Sequence, residues 1–395
     1  MRSCKIQILL IKGPDPGDCT GEMYPKRIMG RINISVIKAD LGAIGGHIKP
    51  SRALLDAVEN HIKSKSKGLA IDWRVTFTGD DIAILLTHNK GIENEKIHRL
   101  CWDAFIAGMK VAQEQGLYGA GQDLLKLEFN GTVKGLGPAV AEMEFEERAA
   151  EPFLVIAADK TDPGAFNLPL YLSFCDPMYN SGLLISPKIR QGYIFRVIDM
   201  SPSDGERWIE LKSPEEIYDL AVLLRDQERF AISSVVSRAA GEPAVAASTT
   251  RLHNIAGKYA GKDDPVMIVR TQQNFPGSGE VLAPFSIGHF VAGFMRGSHY
   301  GPLMPVKQNS EISFFDGPPI VSAAAYSVRR GKLTEAADCF AQPYWDNIRA
   351  RIAGKAEEIR KQGFFGPAML GMGELEYTQM APTLKNLEKK FNIKK

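Results

Sequence analysis

The order of strand-like and helix-like segments is the feature that most constrains the fold of this chain. Apolar runs, alternating or continuous, predict strands, and apolar residues at helical spacing predict helices. Helices are predicted at residues 95–115, 213–226, 343–361 and 381–392, and after a cap at Ser51. Strands are predicted at residues 32–39, 70–78, 82–87, 139–147, 152–158, 192–199, 207–211, 229–238, 266–271 and 318–328. Because strands dominate the middle without regular β-α-β alternation, an α+β or layered sandwich fold fits better than a doubly wound sheet.

The domain organisation follows from length and composition. The 395 residues are 44% hydrophobic and 24% charged, which is typical of a globular protein with a large core. No linker divides the sequence, so we expect one large domain at residues 32–392. Residues 1–31 read as loop, and we expect an N-terminal extension that is disordered or part of an over-long start, with Met29 as an alternative start.

Charge and cysteine content narrow the partners and the compartment. Net charge is +2 from 48 basic and 46 acidic residues, which gives no electrostatic argument for binding nucleic acid or an anionic membrane. The five cysteines are scattered and form no C-x-x-C pair, which predicts reduced thiols in a cytoplasmic protein. No apolar run approaches the roughly 18 residues of a membrane span.

Acidic residues recur where predicted strands end. A single aspartate in such a place is commonly a turn or capping residue. Two doublets together with further strand-end aspartates are less easily explained in that way, and converging carboxylates would repel one another without a cation. Mg²⁺ suits such an oxygen-rich set, to which His47 could add a neutral nitrogen ligand. The aspartates are Asp40, Asp80, Asp81, Asp123, Asp159, Asp263 and Asp264.

Two further segments carry candidate chemistry. In IAGKYAGKDDPVMIVR (residues 255–270), Lys262 stands beside two aspartates at the start of a predicted buried strand, where catalytic groups often lie. The glycine-rich segment FNGTVKGLGPAV could offer backbone N–H groups to a phosphate, although taken alone the pattern favours a plain turn. Lys160 and Arg296 are candidate charge partners for such a phosphate.

Seven motifs along the chain match those of a known family. The segments ISVIKADLGAIGGH, FTGDDIAILLTH, GLYGAGQDLL, ADKTDPGAFNLPLY, IAGKYAGKDDPVMIVR, MRGSHYGPLMPV and FDGPP occur in this order. The chain closely resembles the fructose-1,6-bisphosphate aldolase/phosphatase family of archaea and deeply branching bacteria, over about residues 32–392. The resemblance implies a four-layer α-β-β-α sandwich, a homo-octamer, several Mg²⁺ ions and a role in gluconeogenesis.

The resemblance also implies the functional residues. Lys262 matches the Schiff-base lysine, Tyr259 the acid/base tyrosine of the aldolase step, and Asp40 the group that activates the attacking water. The implied metal ligands are Asp40, His47, Asp80, Asp81, Gln122, Asp159, Asp263 and Asp264, which favours Gln122 over its neighbour Asp123. The implied substrate contacts are His47, Tyr118, Gly131, Thr132, Lys160, Arg296, Asp316 and Tyr377, with Gln272 as a further candidate.

Those matches imply two reactions in one site. Lys262 would form an imine with dihydroxyacetone phosphate, the enamine would add to glyceraldehyde 3-phosphate, and the 1-phosphate of the bisphosphate would then be hydrolysed. Carboxylates beside Lys262 should raise its pKa and oppose this chemistry. We therefore expect residues 257–265 to adopt two arrangements, one with Lys262 in the pocket and one with the aspartates completing the metal site. The alternatives are a Mg²⁺-dependent sugar-phosphate phosphatase without aldolase activity and a non-catalytic sugar-phosphate-binding protein.

Overall fold

The computed structural model describes residues 30–124, 137–201, 206–248, 250–251, 261–293, 299–312, 317–362 and 380–394. The helices are α1 (Arg52–Lys65), α2 (Glu95–Glu114), α3 (Asn167–Phe174), α4 (Gly182–Ile185), α5 (Ile217–Leu224), α6 (Ser278–Leu282), α7 (Pro343–Gln362) and α8 (Met380–Glu388). The strands of the first half are β1 (Arg31–Asp40), β2 (Asp72–Thr78), β3 (Asp81–His88), β4 (Ala139–Glu146), β5 (Glu151–Asp159), β6 (Tyr193–Asp199) and β7 (Glu206–Lys212). They are followed by β8 (Phe230–Ser237), β9 (Pro243–Ala247), β10 (Thr250–Arg251), β11 (Val266–Arg270), β12 (Phe290–Gly293), β13 (His299–Pro302), β14 (Met304–Val306), β15 (Ile320–Arg329), β16 (Lys332–Leu333), β17 (Ala337–Asp338) and β18 (Asn392–Lys394).

Two large sheets form the centre of the fold. The smaller has five strands in the order β10-β4-β1-β3-β2. The larger has eleven strands along the path β14-β15-β5-β11-β9-β8-β6-β7-β18, with β16 and β17 also paired to β15. The pairs around the centre, such as β1 with β3 and β5 with β11, are antiparallel, whereas β14 and β15 are parallel. This pairing agrees with the predicted lack of β-α-β alternation, and the α+β class is confirmed.

The hydrophobic clusters show how the sheets and helices pack. One cluster joins the inner faces of the two sheets, with Val36 and Leu85 of the smaller sheet packed among Ile268 and Tyr326 of the larger. A second cluster packs α1 and α2 against the outer face of the smaller sheet. A third packs helices that include α3, α5 and α7 against the larger sheet. Helices on both outer faces are consistent with the predicted α-β-β-α sandwich.

Local sequence signals explain the ends of the first two helices. Ser51 caps α1 as predicted, because its Oγ accepts a hydrogen bond from the Leu54 N–H at 3.2 Å. The side chain of Asn94 accepts from two N–H groups at the start of α2. Gly116, with φ of +63°, follows the end of α2, as the glycine stop signal predicts.

The C-terminal prediction was partly wrong. The helix predicted at residues 381–392 ends at Glu388, and Asn392–Lys394 forms β18 against β7. Pairing with an open sheet edge supplies backbone partners that a helical end lacks, and this tertiary contact overrides local periodicity. None of the helices in the described part of the chain has the length and apolarity needed to cross a membrane.

Candidate active site

The candidate site lies where ends of strands from both sheets meet. In the smaller sheet, Asp40 at the end of β1 stands opposite Asp81 at the start of β3. In the larger sheet, Asp159 ends β5. Antiparallel register brings the first two together, and face-to-face packing of the sheets brings the third. The carboxylates that sequence reasoning placed at strand ends therefore gather at one end of the sandwich.

Four aspartates and one histidine form the centre of the site. Ligand atoms of Asp40, His47 and Asp80 lie within 4.8 Å of one another, and so do those of Asp80, Asp81 and Asp159. Asp80 therefore belongs to both groups. Its Oδ2 lies 3.1 Å from His47 Nδ1, and its N–H donates to Asp159 Oδ2 at 3.2 Å. We call Asp40, His47, Asp80, Asp81 and Asp159 the carboxylate centre.

Glycine at position 79 makes room for this arrangement. A Cβ built on Gly79 would lie 1.5 Å from Asp159 Oδ2, and its φ is +61°. Side chains other than hydrogen would clash with the carboxylate and would strain the backbone. The glycine of FTGDD is thus required by the close approach of the two sheets.

Lys160 and Lys38 form ion pairs with aspartates of the carboxylate centre. Lys160 Nζ donates to Asp159 Oδ1 at 2.9 Å and to Asp80 Oδ1 at 2.5 Å. Lys38 Nζ donates to Asp81 Oδ2. Lys38 is 2% exposed, which makes it one of the largest fully enclosed side chains in the described part of the protein.

Lys262 lies at the edge of the carboxylate centre. Its Nζ donates to Asp123 Oδ1 at 3.3 Å and to Asp263 Oδ1 at 2.5 Å. Asp123 Oδ2 accepts the N–H of Asp40 at 2.9 Å. Asp123, which the resemblance ranked below Gln122, thus connects Lys262 to the backbone of Asp40.

The KDDP segment (residues 262–265) is held beside the end of β5 by two hydrogen bonds. Thr161 N–H donates to Asp264 Oδ1 at 2.7 Å, and Asp264 N–H donates to the Thr161 carbonyl at 2.8 Å. Asp264 has a left-handed backbone, with φ of +48°. Strained non-glycine residues of this kind concentrate at functional sites, where surrounding contacts hold them.

The pKa values of the buried aspartates show that these carboxylates repel one another and that the nearby lysines offset the repulsion only in part. Burial, reinforced by neighbouring carboxylates, raises the pKa of Asp40 and of Asp159 well above the usual range. Burial and Asp263 raise the pKa of Asp264 to about 8. Asp80 differs, because Lys160 and His47 outweigh burial and lower its pKa.

The aspartates around Lys262 and Lys160 raise the pKa values of both lysines. Burial alone would lower the pKa of Lys262, but Asp123 and Asp263 overcome it and raise the pKa. Neighbouring carboxylates likewise raise the pKa of Lys160 well above its usual value. As the sequence predicts, the carboxylates beside Lys262 therefore favour its protonated form, which cannot act as a nucleophile.

The donor set fits a divalent metal ion. It consists of buried carboxylate oxygens with one imidazole nitrogen, and the carboxylates repel one another in the absence of further positive charge. Hard divalent cations prefer oxygen ligands, and a cation here would relieve that repulsion. The buried acidic groups are thus compatible with divalent metal binding.

Of the other predicted site residues, some lie beside the carboxylate centre, one lies away from it, and the rest lie outside the described residues. Tyr118 lies edge-to-face against His47, with ring centroids 4.9 Å apart, and Gln122 follows in the next turn beside Asp123. Gln272 follows Arg270 at one end of β11, whereas Asp264 precedes Val266 at the other end. It is not brought to the carboxylate centre, and its substrate role stays a prediction. Outside the described residues lie Gly131, Thr132, Tyr259, Arg296, Asp316 and Tyr377.

Sequence reasoning missed Lys38 and Thr161. The signal for Lys38 was present, because it has the same parity along β1 as Ile34, Val36 and Asp40, which face the other sheet. Thr161 acts through its backbone, which no side-chain pattern indicates.

The fold and the site together define an α+β protein with a buried carboxylate centre that is compatible with divalent metal binding and has an adjacent lysine, an arrangement suited to an enzyme. A family model described as fructose-1,6-bisphosphatase matches residues 31–392, and the chain belongs to this family. The resemblance predicted from the motifs is confirmed by curated relatives named fructose-1,6-bisphosphate aldolase/phosphatase. One from Thermus thermophilus is 54% identical over 362 residues, covering 92% of this chain and 100% of the relative. Others are from Cenarchaeum symbiosum (49% over 349 residues; 88% and 91%) and Moorella thermoacetica (47% over 362 residues; 91% and 94%).

Proposed function

We propose that this chain is a bifunctional enzyme of gluconeogenesis. It condenses dihydroxyacetone phosphate with glyceraldehyde 3-phosphate to fructose 1,6-bisphosphate, and it then hydrolyses the 1-phosphate to give fructose 6-phosphate. The observation that carries the proposal is the enclosed Lys262 beside the carboxylate centre, in a chain closely similar to proteins named for both activities. The phosphatase reaction alone would leave Lys262 without a chemical task.

Lys262 supplies the carbon–carbon chemistry. Its neutral amine attacks the ketone of dihydroxyacetone phosphate, and loss of water gives an imine that acidifies the adjacent C–H. Removal of that proton gives an enamine, whose carbon attacks the aldehyde of glyceraldehyde 3-phosphate. Water then releases the bisphosphate from Lys262. We assign the proton transfers to Tyr259, three residues before the lysine.

Lys262 must leave its carboxylate partners before it can attack. Asp123 and Asp263 hold it as an ammonium ion, the unreactive form. Gly261 precedes it with φ of +82°, and Asp264 behind it is fixed to Thr161. We retain the proposal of two arrangements, one with Lys262 in the pocket and one with the aspartates completing the metal site, and we add that the contacts with Thr161 keep Asp264 in place in both.

The metal is proposed to be Mg²⁺, held by the carboxylate centre with Gln122, Asp263 and Asp264. When bound, the ions would neutralise these carboxylates and polarise the phosphate ester and a water molecule. Asp40 would accept the proton of the attacking water, and its Oδ1 is oriented by the Gly42 N–H at 2.9 Å. Lys160, once released from Asp80, would bind a substrate phosphate.

We also propose a cytoplasmic homo-oligomer, with the octamer as the expected state. Its support is the motif resemblance together with large apolar side chains that one chain leaves exposed, among them Met178, Ile185 and Tyr218.

Borohydride trapping with dihydroxyacetone phosphate tests the proposal. Wild type should give a stable adduct on the peptide that contains Lys262, and it should release phosphate from fructose 1,6-bisphosphate with Mg²⁺. Lys262→Arg should lose the adduct and the condensation while retaining hydrolysis. Lys63→Arg, on the exposed face of α1, is the matched control and should keep all three.

The outcomes separate the candidate functions. Hydrolysis without an adduct in wild type would leave a sugar-phosphate phosphatase. Tight binding of fructose 1,6-bisphosphate with neither reaction would favour a non-catalytic binding protein.

A further inference from the structure

Lys38 is a cation built into the wall of the carboxylate centre. It lies inside β1, two residues before Asp40, and β1 is paired on both sides by β3 and β4. Its side chain projects between the sheets, is 2% exposed, and donates to Asp81 Oδ2. A buried ammonium is stable only when it is paired with negative charge, and here that charge belongs to the candidate metal site.

The position of Lys38 distinguishes it from the other two lysines of the site. Lys160 has a left-handed backbone just beyond β5, and Lys262 lies in the KDDP segment outside β11. Both can be repositioned by turns of loop backbone. Lys38 is held by a strand with neighbours on each side, so its positive charge remains when the contents of the site change.

The charge balance gives this fixed cation its importance. Around the site, among the described residues, seven aspartates face three lysines, so acidic groups outnumber basic ones. The aspartates are Asp40, Asp80, Asp81, Asp123, Asp159, Asp263 and Asp264. A charge that stays in place reduces the repulsion remaining after divalent ions leave. The same charge repels an incoming divalent ion and shares Asp81 with it, so it also weakens metal binding.

We propose that Lys38 is a permanent internal counter-ion that keeps the carboxylate centre folded without divalent metal and, in exchange, lowers metal affinity. Lys38 thus acts on the metal ligands rather than on substrate, and it sets how strongly the stability of the fold depends on bound metal. The inference rests on the metal site of the proposed function but not on either reaction.

Thermal unfolding and calorimetric Mg²⁺ titration of the full-length protein test this proposal without substrate. Lys38→Met removes the charge and keeps an unbranched side chain of similar size. In EDTA its Tm should fall by more than about 3 °C. Its Mg²⁺-induced rise in Tm should exceed that of wild type, and its Mg²⁺ half-saturation concentration should fall at least about tenfold.

Two control variants isolate the charge. Lys63→Met removes an exposed lysine of α1 and should behave as wild type in both measurements. Lys38→Arg keeps the positive charge and should stay closer to wild type than Lys38→Met. A Lys38→Met protein with the wild-type Mg²⁺ response, or with weaker Mg²⁺ binding, would overturn the proposal.

Failure to fold is also decisive. Added Mg²⁺ should replace the missing charge, so a Lys38→Met chain that stays unfolded at every Mg²⁺ concentration would overturn the proposal as well. The absence of any Mg²⁺ response in wild type would instead refute the metal part of the proposed function. The two failures are therefore distinguishable.

Discussion

Replacing Gly79 with alanine tests whether Asp159 belongs to a working metal site. The new Cβ would lie 1.5 Å from Asp159 Oδ2. Ordinary van der Waals contact begins near 3.4 Å, so the carboxylate must retreat by about 2 Å. Mg²⁺ holds its oxygen ligands at roughly 2.0–2.1 Å, and a displacement of this size removes the ligand. Misplacement by even about 1 Å can lower a rate by roughly 100-fold.

Gly116 provides a matched control. Its φ is +63°, close to the +61° of Gly79, and a Cβ there meets nothing within 4 Å. Alanine in this left-handed conformation costs about 1 kcal/mol at either position, so the backbone penalty is common to both variants. The difference between the two variants isolates the contact with Asp159.

The assay is phosphate release from fructose 1,6-bisphosphate as a function of Mg²⁺ concentration. Gly79→Ala should lower kcat about 100-fold and raise the Mg²⁺ half-saturation concentration at least about tenfold. Gly116→Ala should keep both values within roughly twofold of wild type, because its only cost is in stability. Equal kinetics for the two variants would refute the assignment of Asp159 as a metal ligand.

Two further predictions concern stability away from the site. Arg270 is fully buried and donates to Glu151 at 2.9 and 2.8 Å, so Arg270→Met should lower the free energy of unfolding by about 3 kcal/mol. The urea midpoint, compared with that of exposed Arg52→Met, measures this loss, and equal midpoints would contradict it. Burial lowers the pKa of His88 and of His289 to about 4. Since the unfolded chain takes up these protons near pH 6.5, their stabilisation is complete above that pH. It is lost toward pH 4 by roughly 1.4 kcal/mol per unit for each histidine. His289→Gln should therefore flatten the acid side of the plot of Tm against pH, and an unchanged slope would contradict this reasoning.

The parts of the fold that sequence predicted are those where local and tertiary preferences agree. The central strand β1 has an apolar face toward the other sheet and ends at Asp40, close to the predicted limits. Helix α2 has a side-chain cap at Asn94 and a glycine stop. The strand β9 was missed because it opens with Pro243 and lacks alternation, although sheet neighbours on both sides specify it. Its identity depends on partners distant in sequence.

The sequence predicted the aspartates that form the candidate site but not the contacts among them. Aspartates at strand ends indicated a metal site, and the structure brings Asp40, Asp80 and Asp159 together. Which oxygen contacts which lysine depends on register and sheet packing, and no motif contains that information. Asp123 illustrates the difference, because its place between Lys262 and the Asp40 backbone appears only in three dimensions.

The lysines and a divalent ion draw on the same oxygen atoms. Lys160 contacts Oδ1 of both Asp80 and Asp159, and these aspartates also belong to a candidate metal group. A divalent ion bound to these oxygens would therefore displace an ammonium group, and a released Lys160 would become available to a phosphate. Lys262 is paired with Asp263, and with Asp263 as a proposed metal ligand we expect metal occupancy and amine availability to be linked through shared carboxylates. Substitution of Asp263 should consequently alter both imine trapping and Mg²⁺ affinity. Independent responses of the two measurements would show that the lysine and the metal occupy separate sites.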